Sequence, residues 1–193
     1  GHSEVFILKM HPICMILFPM GNSIELGKKI AKHAQCQLGE IKTGFFPDGE
    51  LYIRLMDEVR GMHVVLVQAM YPKPNDALLS IVFAARTAKG LGASKVTAIA
   101  PYLGYMRQDS RFHSGECISN SEMAWMLNQC LDAIVTVDPH LHRVKSLQDL
   151  FYIERKRLSA NSEIARHIKK KFSAKDSVIA GPDIESSQWA KAI

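Results

Sequence analysis

Val96-Thr97-Ala98-Ile99-Ala100 leads into Tyr105-Met106-Arg107-Gln108-Asp109, and Ala133-Ile134-Val135-Thr136-Val137 leads into Asp138-Pro139-His140-Leu141-His142. Each pair sets a short apolar run just ahead of a polar cluster. Apolar runs of this length, without polar alternation, read as strands buried on both faces, the pattern of a parallel sheet covered by helices. In an open α/β sheet the ligand crevice lies beyond the carboxyl ends of the strands. Arg, Gln, Asp and His gathered there are placed for phosphate, base or metal contact.

Outward from these two strands the elements alternate. Towards the N-terminus, Ile13-Cys14-Met15-Ile16-Leu17-Phe18 reads as the first strand; it lacks the basic lead and small-residue cleavage site of a secretory signal. Asn22-Ser23 can cap a helix with Leu26, Ile30 and Ala34 on one stripe. The period then drops to two: Leu38 to Phe45 and Leu51 to Leu55 flank Pro47-Asp48-Gly49, a hairpin-like insertion. Val64 to Gln68 is another buried strand, and Pro74 opens a helix through Leu78, Val82 and Ala85 that ends by Gly90. Ser119 and Glu122 have capping-box spacing and open a helix through Leu127. Beyond Asp149 the pattern restarts with a helix over Asn161 to Phe172, a strand over Ser177 to Ala180 and the turn Gly181-Pro182-Asp183. The expected organisation is one α/β domain over residues 13–150 and the beginning of a second over 151–193.

Composition narrows the class. In 193 residues no stretch is long and apolar enough to span a bilayer, so no membrane role is expected. The four cysteines are scattered without C-x-x-C or metal spacing, which points to a reducing compartment, read as the cytoplasm. A net charge of +5 suits anionic ligands without identifying them. The densest basic run, Arg166 to Lys171, shares its segment with Ile164, Ile168 and Phe172 at helical spacing and reads as a solvated helix face. Basic residues are not interleaved with aromatics in a recognisable module, so nucleic acid is not an expected partner.

Four motifs stand in one register: Phe46-Pro47-Asp48-Gly49-Glu50, Pro101 to Asp109, Val137-Asp138-Pro139-His140 and Gly181-Pro182-Asp183. In order and spacing the chain from about Met15 to Ile193 resembles the ribose-phosphate pyrophosphokinases, also called phosphoribosyl pyrophosphate synthetases. The resemblance implies two type I phosphoribosyltransferase-like domains, the second incomplete here, and transfer of a diphosphoryl group from ATP to C1 of ribose 5-phosphate. It implies Mg2+ as cofactor and a homo-oligomer whose sites are shared between subunits.

By that resemblance Phe46, Asp48, Gly49 and Glu50 bind adenine from a neighbouring subunit, Arg107 and Gln108 contact ATP, and His140 and Asp183 hold the metal. The chemistry agrees. A Phe face stacks on a base, a guanidinium donates paired charge-assisted bonds to phosphate, and a Gln amide orients its ligand. Plainer readings stand beside these: core packing for Phe46, a simple turn for Asp48-Gly49, a surface ion pair for Arg107. Asp109 reads as a cap of the following segment in preference to a ligand contact. Asp138 could orient His140 or reach metal through water, and His142 reads as structural. An imidazole is less expected of magnesium than carboxylate, and here the family pattern outweighs that expectation.

The family's catalytic loop, with its Lys and Arg, and its ribose-phosphate loop are expected downstream of Asp183, so the 193-residue chain alone is expected to be inactive. Glu154-Arg155-Lys156-Arg157 has the composition of the basic loop but the wrong place. A noncatalytic regulatory subunit of the same family is the second reading and a basic nucleic-acid-binding domain the third.

Overall fold

The computed structural model describes residues 15–141, 143, 144, 146–172, 178–181 and 190. Its centre is a six-stranded parallel sheet in the order β2-β1-β5-β6-β7-β8. The strands are β1 (Met15–Pro19), β2 (Gln37–Leu38), β5 (His63–Val67), β6 (Lys95–Ala100), β7 (Ala133–Val137) and β8 (Glu154–Leu158). Among the described residues four α-helices accompany it: α1 (Ile24–Ala34), α2 (Pro74–Gly90), α3 (Ser119–Asn128) and α4 (Asn161–Lys171). The strands β3 (Ile41–Phe45) and β4 (Leu51–Leu55) form a separate antiparallel hairpin. Among the described residues no helix is long and apolar enough to cross a membrane.

Strand alternation divides the core between the two faces of the sheet. Ile16, Phe18, Val64 and Leu66 join the large cluster with α2 and α3, whereas Leu17, Val65 and Val67 pack with Ala31 of α1. Among the described residues α1 covers the second face over β1 and β5, while Ile99, Val135 and Val137 farther along it are only partly buried and α4 buries no residue. α2 fills the first side with Leu78 and Ile81, and its alanines Ala84, Ala85 and Ala88 let the second half of the helix lie close to the sheet.

Several expectations are corrected. α1 buries Gly27 and Ala31, with Ile30 partly buried, while Leu26 faces outward. The cause is proximity: a Cβ on Gly27 would lie 2.4 Å from Pro19 Cβ, so the helix meets β1 along its smallest residues. The expected strand from Leu38 to Phe45 is divided. Leu38 pairs with Leu17 in the main sheet and Ile41 begins the hairpin, with Gly39 at the change of partner. Ser119 opens α3 without capping it.

The sheet also runs past residue 150, where the first unit was expected to end. Glu154-Arg155-Lys156-Arg157-Leu158 pairs parallel with β7 as an edge strand. An edge tolerates charge because one side remains in water, so β8 has no apolar run to announce it. Val178, Ile179 and Ala180 lie outside any strand, since no described residue offers them a ladder; Ser177 and Asp183 lie outside the described residues.

Candidate functional site

The two motif-bearing strands are neighbours in the sheet, with Ala100 beside Thr136, so the turns that follow them open onto one cleft. The cleft has a volume of about 430 Å³, and Tyr105, Arg107, Gln108, Ser119, Asp138 and His140 are among its lining residues. The fold thus brings Arg107, Gln108 and His140, which the sequence sets beyond two separate strands, onto one cleft.

Two non-glycine residues at this mouth have left-handed backbone, Tyr105 with φ 61 and Asp138 with φ 41. Such conformations cost free energy and persist where surrounding contacts impose them. The Tyr105 hydroxyl donates to Asn75 Oδ1. Asp138 is held at both ends: its amide donates to the Leu158 carbonyl at 3.0 Å, and its Oδ2 accepts from the Ala160 amide at 2.8 Å. Thus β8 and the start of α4 shape the turn that presents His140. Nothing in the sequence disclosed either conformation, apart from the general tolerance of Asp for left-handed backbone.

Arg107 is exposed and makes no ion pair among the described residues, which removes the surface-pair reading. Gln108 is positioned by α3: its Oε1 accepts from Ser119 Oγ at 3.0 Å, leaving the Nε2 donors for another partner. Here is the reason Ser119 does not cap its helix. Asp109 neither caps nor faces the cleft. Its carboxylate accepts from the Arg143 amide and guanidinium at 2.9 and 3.0 Å. Burial opposes its ionisation, but the two Arg143 donors outweigh burial and hold the carboxyl below the usual carboxylate range.

Among the described residues there is no cluster of three or more His, Cys, Asp or Glu side chains that could hold a metal. Magnesium needs fewer protein ligands, since it keeps waters and takes phosphate oxygens. Asp138 and His140 share the cleft wall, and Asp138 Oδ1 is buried without a hydrogen-bond partner. An orphaned carboxylate oxygen in a cleft that His140 also lines is a donor set compatible with a divalent cation that arrives with a phosphate ligand. His142 and Asp183 lie outside the described residues.

The hairpin residues stand apart from this cleft. Phe46 is 50% exposed and meets Tyr52 edge to face at 5.7 Å, so it is not a core residue. The turn closes through Gly49 N donating to Phe46 O at 2.9 Å, with Gly49 at φ 91. Asp48 Oδ1 accepts from the Glu50 amide at 3.1 Å, which uses one carboxylate oxygen in the turn itself. Gly49 and Glu50 border a second cleft, with Phe45, Leu79 and Phe83. Within one chain the hairpin group and the Arg107, Gln108 and His140 group are not brought together.

The N-terminal domain of ribose phosphate pyrophosphokinase matches residues 15–130. The ribose-phosphate pyrophosphokinase of Methanopyrus kandleri is 32% identical over 179 residues, covering 93% of this chain and 60% of that protein. That of Methanothermobacter thermautotrophicus is 38% identical over 162 residues, covering 83% and 54%. The crystal structure of phosphoribosylpyrophosphate synthetase from Mycobacterium smegmatis superposes with a TM-score of 0.81 at 27% identity, over 92% of this chain and 59% of that one. The chain therefore spans between about half and three fifths of the length of these relatives. With the domain match running from the first sheet strand to the end of α3, and the same fold in the Mycobacterium protein, this chain belongs to the ribose-phosphate pyrophosphokinase family.

Proposed function

We propose that this chain is the nucleotide-handling part of a ribose-phosphate pyrophosphokinase, which passes a diphosphoryl group from ATP to ribose 5-phosphate and yields phosphoribosyl pyrophosphate and AMP. The observation that carries the reading is the convergence of Arg107, Gln108 and His140 on one cleft beyond β6 and β7. In the transfer the C1 oxygen bonds to the β-phosphorus, the bond from that phosphorus to the oxygen kept by AMP breaks, and the C1 hydroxyl gives up its proton.

In this reading the unpaired Arg107 guanidinium grips ATP phosphate oxygens, and Gln108, oriented by Ser119, donates its amide to the same ligand. Asp138, His140 and, by family resemblance, Asp183 would hold a Mg2+ ion, which would neutralise phosphate charge when bound. The half-exposed Phe46 with Asp48, Gly49 and Glu50 closes on adenine from a neighbouring subunit, a reading supported by none of the four lining the cleft of their own chain. Free Cys36, Cys117 and Cys130 support a reducing, cytoplasmic setting.

Calorimetric titration of the chain with Mg-ATP tests the site. Arg107→Ala is expected to weaken binding by about 1.5–3 kcal/mol, the range for a hydrogen bond to a charged group, with thermal stability unchanged. Equal affinity in the variant and the parent would remove the phosphate role from Arg107 and the cleft reading with it.

A further inference from the structure

We infer that Asp109 and Arg143 form a positioning clasp that sets the spacing between the two walls of the cleft, holding the Arg107-Gln108 turn against the loop that carries His140. The inference rests on the nucleotide-site reading and adds to it two residues that do not line the cleft.

The clasp has three parts. The Asp109 side chain is only 3% exposed, and its two oxygens take separate donors of one residue, the Arg143 backbone amide at 2.9 Å and its guanidinium Nη1 at 3.0 Å. The guanidinium then lies 4.9 Å from the centre of the Phe112 ring. Finally, Glu116 accepts from the Phe112 and His113 amides at 2.8 and 3.1 Å, securing the segment that bears the ring. Phe112, Arg143 and Asp109 thus form a stack anchored at both ends.

Placement gives the stack its consequence. Asp109 follows Gln108 directly and Arg107 by two residues, while Arg143 follows His140 by three. Because the carboxylate binds a backbone amide as well as a side chain, it constrains the path of the His140 loop as well as compensating a charge. An exposed ion pair would contribute little. Here the half-exposed Arg143 side chain is what covers the carboxylate, so removing it lets water replace the guanidinium and frees the turn to rearrange. Groups that grip one ligand from two loops lose affinity steeply when their spacing relaxes.

The test uses the whole chain, with and without Mg-ATP. Asp109→Asn and Arg143→Ala are each expected to weaken Mg-ATP binding by about three- to tenfold, and the double variant by no more than the worse single one, since contacting residues couple. Arg143→Lys should recover part of the loss. Ile81→Val, a distant core variant, should lower the melting temperature without changing affinity. Without ligand, exchange of the Arg143 amide should accelerate in Asp109→Ala, and the His140 ring resonances should shift in Asp109→Asn. Independent, additive losses of affinity, or affinity that tracks melting temperature through Ile81→Val, would overturn the positioning role. So would an Arg143 amide that stays protected, or unmoved His140 resonances. If the parent chain does not bind Mg-ATP, the nucleotide-site reading fails, and the ligand-free arm still decides whether the clasp sets the His140 loop.

Discussion

The Asp132 carboxylate accepts from the Lys89 ammonium at 2.8 Å and from the Val96 amide at 2.7 Å, so one side chain just before β7 ties α2 to β6. Burial pushes its pKa up, but Lys89 and the Val96 amide outweigh burial and leave it below the ordinary aspartate value. A lowered folded-state pKa means that the stabilisation is complete above the unfolded value, about 3.9, and is lost as pH falls through the folded value. Thermal unfolding between pH 7 and 2 should therefore show the parent losing stability more steeply below about pH 4 than Asp132→Asn. The side chains of the pair are 34% and 40% exposed, so screening keeps the difference to about 1 kcal/mol or less. Parallel curves would show that the pair carries no pH-linked stability. Asp109 has the same sign, and the variant retains that part of the slope. At this scale the sequence disclosed residue types in register, Arg107, Gln108 and His140. It did not disclose partners: Ser119 for Gln108, and Arg143 for Asp109, depend on contacts between segments distant in the chain.

The elements that were legible are those whose pattern answers to burial on a known period. α2 runs from Pro74 to Gly90 as its proline start and apolar spacing predict, and β5, β6 and β7 coincide with their apolar runs to within a residue or so. α1 was placed correctly but its buried face was not, because the stripe of large residues is not the face that meets the sheet. That contact prefers the absence of a side chain. Gly27→Ala should accordingly be destabilising: the gain in helix propensity, about 1 kcal/mol, is outweighed by about 1–3 kcal/mol of overpacking against Pro19. Chemical denaturation measures the balance, and equal or greater stability in the variant would show that α1 can shift away at little cost. β8 was invisible as a strand because its charges suit an edge, yet it supplies the Leu158 carbonyl that holds the strained Asp138 turn. The candidate site thus depends on an element that hydropathy alone does not reveal.

At the scale of the molecule, one side of the hairpin and α2 keeps Phe45, Leu79 and Phe83 exposed around a shared cleft. Apolar clusters of this kind on a folded chain mark contact with another surface. Under the proposed shared site that surface is a second copy, and sedimentation of the chain is expected to give a dimer or larger species. Phe83→Asp should shift it towards monomer and weaken Mg-ATP binding together; a monomeric parent with tight binding would contradict the shared site. The sequence by itself determined the parallel α/β class, the family and the set of residues beyond β6 and β7, because uninterrupted apolar runs require two covered faces and strand ends are where polar clusters can remain wet. Tertiary structure alone decided which strands are neighbours, where the sheet ends, the left-handed turns at Tyr105 and Asp138, and the separation of the hairpin from the cleft. Those follow from hydrogen bonds and close approaches between segments far apart in the chain, and no local pattern of residue types encodes them.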